Sequence, residues 1–393
     1  MTDSFTTPLE QAAQVATQRR RLTIGLPRSA QAAERRFPLT PEAVNILVEQ
    51  GFTVKMERGA ADVIHYTDNR YSRCGAAIVD RRSTLQCDLV IHLSPLSVAD
   101  VNDMKRGAML LTLFHSSAKL TRPLIEALMR HGIIAIALDL IKEPQGHALF
   151  ADILSEIDGR ASIAIASSLL ADAIRGKGIL LGGVAGIVPC EVMILGSGLA
   201  ARAAAMSAIG LGAQVRMFDG DTYSLRSALA AHGPGVAGSV PHPHVVENAL
   251  RSADIVVATT MNNAPVIDSD RVELMKRGVI TFDISSTPGK IFPSLPTVDL
   301  AVARSCDNTL DGYRVCYINA GSAVPRTAAM ALSNSLVTML HDVITCEGMS
   351  NAVKLTPGLQ GATLTFGGHA VNPDIARIAG CRPTDLALFL QLS

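Results

Sequence analysis

The stretch from Val192 to Asp219 constrains the fold of this chain more than any other. It reads Val192-Met-Ile-Leu-Gly-Ser-Gly-Leu-Ala-Ala201 and, after an Ala-rich run, Gly210-Leu-Gly-Ala-Gln-Val-Arg-Met-Phe-Asp219. An apolar strand ends in a Gly-x-Gly-x-x-Ala turn, a helix follows, and a second strand closes on an acid. Gly196 permits the tight turn, Gly198 has no side chain to keep a pyrophosphate away, and Ala201 lets the helix pack closely on the strand. Phosphates then meet unpaired N–H groups at a helix N-terminus, where the macrodipole favours negative charge. Ser197, Leu199 and Ala200 complete the loop expected to contact the cofactor. Asp219 stands 23 residues beyond Gly196, near the ~20-residue spacing at which an acid meets ribose hydroxyls. An ordinary tight strand–helix turn is the alternative, and it has no use for that acid. The acid also selects between cofactors: a carboxylate accepts from a free 2′-hydroxyl and repels a 2′-phosphate. After Asp219 no base follows until Arg226, although Arg216 precedes it. NAD is expected rather than NADP.

A chain of 393 residues has room for two domains with sizeable cores. Its 35 Lys and Arg balance 35 Asp and Glu, so no basic stripe offers itself to nucleic acid. Tryptophan is absent and aromatics are 4%, which removes the stacking surfaces that single strands need. Seven scattered cysteines without a Cys-x-x-Cys pair read as small buried hydrophobes in a reducing compartment, so a cytoplasmic location is expected. Residues 1–21 are polar and end in Arg19-Arg20-Arg21, which predicts a flexible N-terminal arm and not a signal peptide. Residues 192–215 carry only Arg202 as a charge and are long enough to cross a bilayer. Their glycines, serines and phosphate-loop pattern mark instead a buried parallel strand with its helix. No membrane association is expected.

Strand and helix patterns alternate from Leu22 onward. Strands are expected at Leu22–Leu26, Phe52–Met56, Ala76–Val79, Leu89–Leu93, Met109–Phe114 and Ile133–Leu138. Thr40-Pro41-Glu42 supplies an N-cap, an N1 proline and a first-turn acid for a helix ending at Gly51, and another helix is expected at Pro123–Arg130. A long apolar helix around Ile157–Arg175 leads into a second series, with strands at 191–195, 214–218, 254–258 and 279–284 and Tyr313–Ile318 closing the sheet. A helix begins at Val324-Pro-Arg-Thr. This alternation predicts an α/β chain of two Rossmann-like, doubly wound domains with an interdomain cleft. The expected division is the arm at 1–21, a substrate domain at 22–150 plus 320–393, and an NAD-binding domain at 151–319.

Such a cleft needs a carboxylate anchor and a group that moves protons. Arg36, in the loop after the first strand, offers a planar fork matched to a carboxylate, although a loop Arg is more often a surface charge. His115 ends the strand at the cleft edge and titrates in the right range for acid–base work; a satisfied strand-end histidine is the alternative. His92, inside the strand Leu89–Leu93, is open to the same two readings. Ser155 and Arg160 are expected to open the interdomain helix, where a hydroxyl and backbone N–H groups meet a phosphate, and Asn319 follows the last strand. His242 and His244 form a His-x-His pair that reads as loop, and no metal site is expected.

Taken together, the pieces resemble the alanine dehydrogenase and nicotinamide-nucleotide transhydrogenase α-subunit family. The carriers are Glu34-Arg-Arg-Phe-Pro-Leu-Thr-Pro41, Thr112-Leu-Phe-His115, Leu154-Ser-Glu-Ile-Asp-Gly-Arg160, Lys177-Gly-Ile-Leu-Leu-Gly-Gly-Val184, the nucleotide loop, and Asn319-Ala-Gly-Ser-Ala-Val-Pro-Arg-Thr327. The tail with Gly368, Asn372-Pro373 and Pro383 is more similar to alanine dehydrogenase. The resemblance implies that Arg36 holds a substrate carboxylate, His115 is the acid–base or polarising group, and Asn319 sits near the reacting centre. It also implies NAD contacts from Ser155, Gly196, Gly198 and Asp219, and a homo-oligomer, dimer or hexamer. Two departures stand out. A catalytic lysine expected in a Lys-x-Lys-Glu-Pro segment is absent from Ile91-His-Leu-Ser-Pro95, and Thr287 replaces an aspartate in Phe282-Asp-Ile-Ser-Ser-Thr-Pro-Gly289. The expected activity is therefore NAD-dependent hydride transfer on an amino acid, keto acid or derived imine, and not standard alanine deamination. An NAD-using lyase or cyclodeaminase and a catalytically weakened NAD-binding partner protein are the alternatives.

Overall fold

The computed structural model describes residues 22–114, 120–174, 176–260, 264–302, 314–345 and 349–391. Six strands, β1 (Thr23–Leu26), β2 (Thr53–Glu57), β3 (Ala77–Val79), β4 (Leu89–Ile91), β5 (Met109–Thr112) and β6 (Ile134–Ala137), run parallel. Seven more, β7 (Glu191–Leu195), β8 (Gln214–Phe218), β9 (Val236–Ser239), β10 (Ile255–Ala258), β11 (Ile280–Asp283), β12 (Thr297–Asp299) and β13 (Cys316–Ile318), form a second, wholly parallel sheet. The chain then returns, and the antiparallel hairpin β14 (Thr363–Phe366) and β15 (His369–Ala370) pairs with β6. The strand orders are β15-β14-β6-β5-β4-β1-β2-β3 and β12-β13-β11-β10-β7-β8-β9.

The central strands are buried and mostly apolar because helices cover both faces of each sheet. Leu89, Ile91, Leu111 and Ile136 enter one core, and Val90, Leu110 and Ala135 enter the core on the opposite face. Val192 and Ile194 are divided from Met193 and Leu195 in the same way. The fold is two Rossmann-like α/β domains.

The helix Leu149–Ala171 joins the sheets. Its early residues Phe150 and Leu154 lie in the first core, whereas Ala161, Ile163, Ala166 and Leu170 lie in the second. The later helix Pro325–Thr345 sends Ala329, Leu332, Leu336 and Leu340 back into the first core. No described helix is long and apolar enough to cross a membrane.

Three expectations need correction. The interdomain helix begins at Leu149, so Ser155 lies in its second turn, where backbone N–H groups are already bonded, and not at its opening. His92 is the first residue past β4, not inside it. Strand β13 does not close the second sheet, because β12 pairs outside it.

Candidate functional site

Open parallel sheets bind ligands outside the carboxyl ends of strands, where the strand order reverses. In the second sheet the reversal is at β7, with β8 on one side and β10 on the other. The Gly196–Ala201 turn leaves β7 at that point. Gly196 has φ +111°, and a Cβ there would lie 2.3 Å from Thr259 Oγ1, so the turn needs glycine. A Cβ on Gly198 would meet nothing within 4 Å. That open space faces the N-terminus of the helix Leu199–Gly210, an arrangement that fits a pyrophosphate.

Ser197 links the loop to the acid. Its Oγ donates to Asp219 Oδ2 at 2.6 Å and lies 2.7 Å from Ser224 Oγ, while Asp219 Oδ1 accepts from the Asp221 N–H at 2.8 Å. The carboxylate is thus fixed at the end of β8. Arg216 is removed from cofactor selection by its ion pair with Glu191 (2.6 Å). Sequence adjacency hid a different base. Arg202, in the first turn of the nucleotide helix, donates from Nε to Ser197 O at 3.0 Å and from Nη2 to Ser224 O at 3.4 Å.

Leu199 and Ala200 form the first turn of the helix, crossed closely by the interdomain helix at Gly159. Ser155 lies four residues before Gly159, on the same helix face, and so one turn along from the Ala200 crossing. Glu156 and Arg160 pair with each other at 2.7 Å.

In the first sheet the order reverses at β1, flanked by β2 and β4. A cavity of about 330 Å³ lies there, lined by the loop 27–38 after β1, by Ile91–Leu93 at the end of β4, and by Ala301 from beyond β12. Arg36 and His92 share this cavity. Arg36 is 8% exposed and forms a two-point pair with Glu34, Nε to Oε1 at 2.8 Å and Nη2 to Oε2 at 2.6 Å. Burial works against its charge, yet Glu34, with Asp158 and Asp139 beyond it, holds the guanidinium above its ordinary value. Two of its five N–H groups are spent on Glu34, leaving donors for a ligand.

His92 is 4% exposed. Its Nδ1 contacts the Ser94 carbonyl oxygen, which only accepts, so Nδ1 carries the proton. Nε2 is buried without a partner among the described residues. Burial pushes the imidazole below its usual range, with the Ser94 carbonyl opposing. The ring is neutral and offers Nε2 as a lone pair.

Asn319 adopts a left-handed conformation (φ 62°), and its Nδ2 donates to Ala33 O at 2.8 Å and to Asp299 Oδ1 at 3.2 Å. It thus ties the loop after β1 to the end of β12. Asp283 is fully buried, its oxygens taken by the Ser285 and Gly289 N–H groups; it shapes its loop and does not stand in for the acid missing at Thr287. His115 lies outside the described residues. No group of three or more His, Cys, Asp or Glu suited to a metal ion occurs among the described residues. Sequence reading singled out neither Arg202 nor the tie made by Asn319.

The family models described as alanine dehydrogenase/PNT, N-terminal domain, and alanine dehydrogenase/PNT, C-terminal domain, match residues 25–157 and 162–373. The alanine dehydrogenase of Staphylococcus haemolyticus is 30% identical over 373 residues, covering 93% of this chain and 98% of its own length. Alanine dehydrogenase 2 of Staphylococcus aureus is 30% identical over 364 residues, covering 90% and 96%. Among solved structures, an L-alanine dehydrogenase superposes with a TM-score of 0.77 at 27% identity, over 91% of this chain and 99% of that one. A transhydrogenase from Sinorhizobium meliloti shares the fold, with a TM-score of 0.72 at 19% identity over 90% and 99%.

Proposed function

The chain belongs to the alanine dehydrogenase/PNT family, and from that membership we propose an oxidoreductase that moves a hydride to or from C2 of an amino acid, keto acid or derived imine other than alanine itself. The family and its fold use NAD, and the open cradle at Gly198 fits the cofactor's pyrophosphate. When bound, NAD supplies or accepts the hydride. Gly196, Ser197, Gly198, Leu199, Ala200, Ser155 and Asp219 are the residues assigned to hold it, within an NAD-binding region at 151–319. Residues 22–150 with 320–393 are assigned to the substrate.

His92 carries the reading. It occupies the segment in which the resemblance places a lysine, and it offers a neutral lone pair where an ammonium is expected. Removing one preorganised donor at a developing charge typically costs ~10²–10³ in rate. Arg36, with three N–H groups beyond the Glu34 pair, is assigned to the substrate carboxylate. His115 is assigned to proton transfer on the strength of the Thr112-Leu-Phe-His115 motif, and Asn319 to holding the cavity loop in place. The five described cysteines are free, in keeping with a cytoplasmic enzyme, and a homo-oligomer is the assembly proposed.

The test is the initial rate of NADH oxidation with pyruvate and ammonia, set beside a panel of larger keto acids and amines. The expected result is pyruvate turnover well below the ordinary ~1–10³ per second, with a larger substrate exceeding it. Pyruvate turnover inside that range would refute the reading.

A further inference from the structure

The loop 27–38 spends nearly all its polar groups on its own position. The Arg28 N–H donates to Glu57, Arg81 donates to the Arg28 carbonyl, Gln31 reaches Pro95 O, and Asn319 holds Ala33 O. Glu34 neutralises Arg36. Two groups are left over. The guanidinium groups of Arg28 and Arg35 have no ion pair or hydrogen-bond partner among the described residues, and both residues line the same cavity as Arg36. Among the described residues, Glu34 is the only carboxylate lining it, and it is already committed. From depth to mouth the arginines run Arg36 buried, Arg35 half-buried and Arg28 exposed.

The volume points the same way. A three-carbon acid has only about six heavy atoms, and a cavity of about 330 Å³ falls within the ~300–1,000 Å³ range of ligand pockets, so it can admit a longer acid. A ligand that extends past Arg36 toward the mouth meets the side of the cavity lined by Arg35 and Arg28, and the two uncompensated cations give that extension its charge. The wall at His92 adds no positive charge, so selectivity for a second anion falls to the arginines.

We infer that the site takes an acid with two carboxylates, the first on Arg36 and the second on Arg35 and Arg28 nearer the mouth. This rests on the oxidoreductase reading for its reacting end, but the anion preference is measurable without any reaction. Guanidinium groups bind carboxylates through charge-assisted, often two-point hydrogen bonds.

The experiment titrates NADH-saturated protein with glutarate and with valerate, inert five-carbon acids that differ in the second carboxylate. Calorimetry is expected to show glutarate bound on the order of ten- to a hundredfold more tightly. That ratio should collapse in the Arg28→Gln, Arg35→Gln double variant. Equal binding of the two acids by the wild-type protein, binding of neither, or a preference that survives in the double variant would overturn the inference. If NADH itself does not bind, the oxidoreductase reading fails, and the same two titrations without NADH still decide the anion preference.

Discussion

The interdomain helix crosses the nucleotide helix tightly at Gly159, and adding one methyl group there tests how the cofactor site is held. An Ala Cβ at position 159 would lie 2.1 Å from the carbonyl oxygen of Ala200 and 3.0 Å from Ala203 Cβ. The first contact is with backbone, so no rotamer relieves it. The helices must separate by on the order of 1 Å, and overpacking of this kind costs ~1–3 kcal/mol. Against that, Ala gains up to ~1 kcal/mol over Gly in a helix interior. At the middle of these ranges the net loss is ~1 kcal/mol or a little more, which lowers Tm by about 2–4 °C in a domain of this size. The displaced element is the first turn of the nucleotide helix, whose N–H groups face the cradle at Gly198, so NADH affinity falls about tenfold, equivalent to ~1.4 kcal/mol. Gly210→Ala is the control: it lies at the far end of the nucleotide helix, a Cβ there meets nothing within 4 Å, and it should stabilise by ~0.4–1 kcal/mol. Thermal unfolding and an NADH fluorescence titration on both variants decide the matter. A Gly159→Ala protein as stable and as tight for NADH as the wild type would refute the coupling of helix crossing to cofactor site.

Two further outcomes follow from the geometry. NADH should bind more tightly than NADPH, and Asp219→Ser should narrow the difference by removing a fixed carboxylate from the 2′ position; calorimetry showing NADPH bound as well by the wild type would contradict the assignment. Because burial lowers the His92 pKa on folding, below about pH 6.5 the unfolded chain holds a proton that the folded chain refuses. Stability should therefore rise with pH up to that point, by at most ~1.4 kcal/mol per unit from this residue, and then level off. His92→Gln should lose that slope, and denaturant midpoints that track the wild type between about pH 5 and 7 would show the imidazole to be solvated.

What could be read in the sequence was what local chemistry specifies. The turn at Gly196 declares itself because only glycine tolerates its φ and the Thr259 contact, and the central strands declare themselves because burial on both faces demands unbroken apolar runs. The misplaced start of the interdomain helix has a physical cause: the residue before Leu149 is Ala148, which makes no side-chain cap bond, so no capping signal exists to be read. Strands β9 and β12 are short segments at the sheet edges, Val-Ala-Gly-Ser and Thr-Val-Asp, with too little apolar pattern to count. The β14–β15 hairpin did leave a trace. Gly367-Gly368, with φ of +57° and +82°, is a two-residue turn between strand-forming residues. The cavity was less legible. The proton on His92 Nδ1 is placed by the Ser94 carbonyl, and the charge balance at Arg36 depends on Glu34 folding back on it, features of loop shape that spacing alone does not specify.

The two ligand regions are built on the same principle, a reversal of strand order, and what remains is how they are held in one relation. The interdomain helix sets the distance, since Phe150 and Leu154 anchor it in one core and Ala161 to Leu170 in the other. At its middle, Asp158 accepts from the Gly321 N–H at 2.6 Å, two residues beyond Asn319. A Cβ at Gly321 would lie 2.5 Å from that same Asp158 oxygen, so the approach depends on glycine. Asn319 then turns the chain through a left-handed conformation that Asn adopts more readily than most residues, and this turn delivers its Nδ2 to both Ala33 and Asp299. One short segment thus fixes the cavity loop to the second sheet, and the same loop presents Arg36 and, nearer solvent, Arg35. The left-handed turn at Asn319 is local, but its consequence is that the loop carrying Arg36 is held against the second sheet, and the proposed hydride transfer needs the cavity by that loop and the Gly198 cradle kept in one relation.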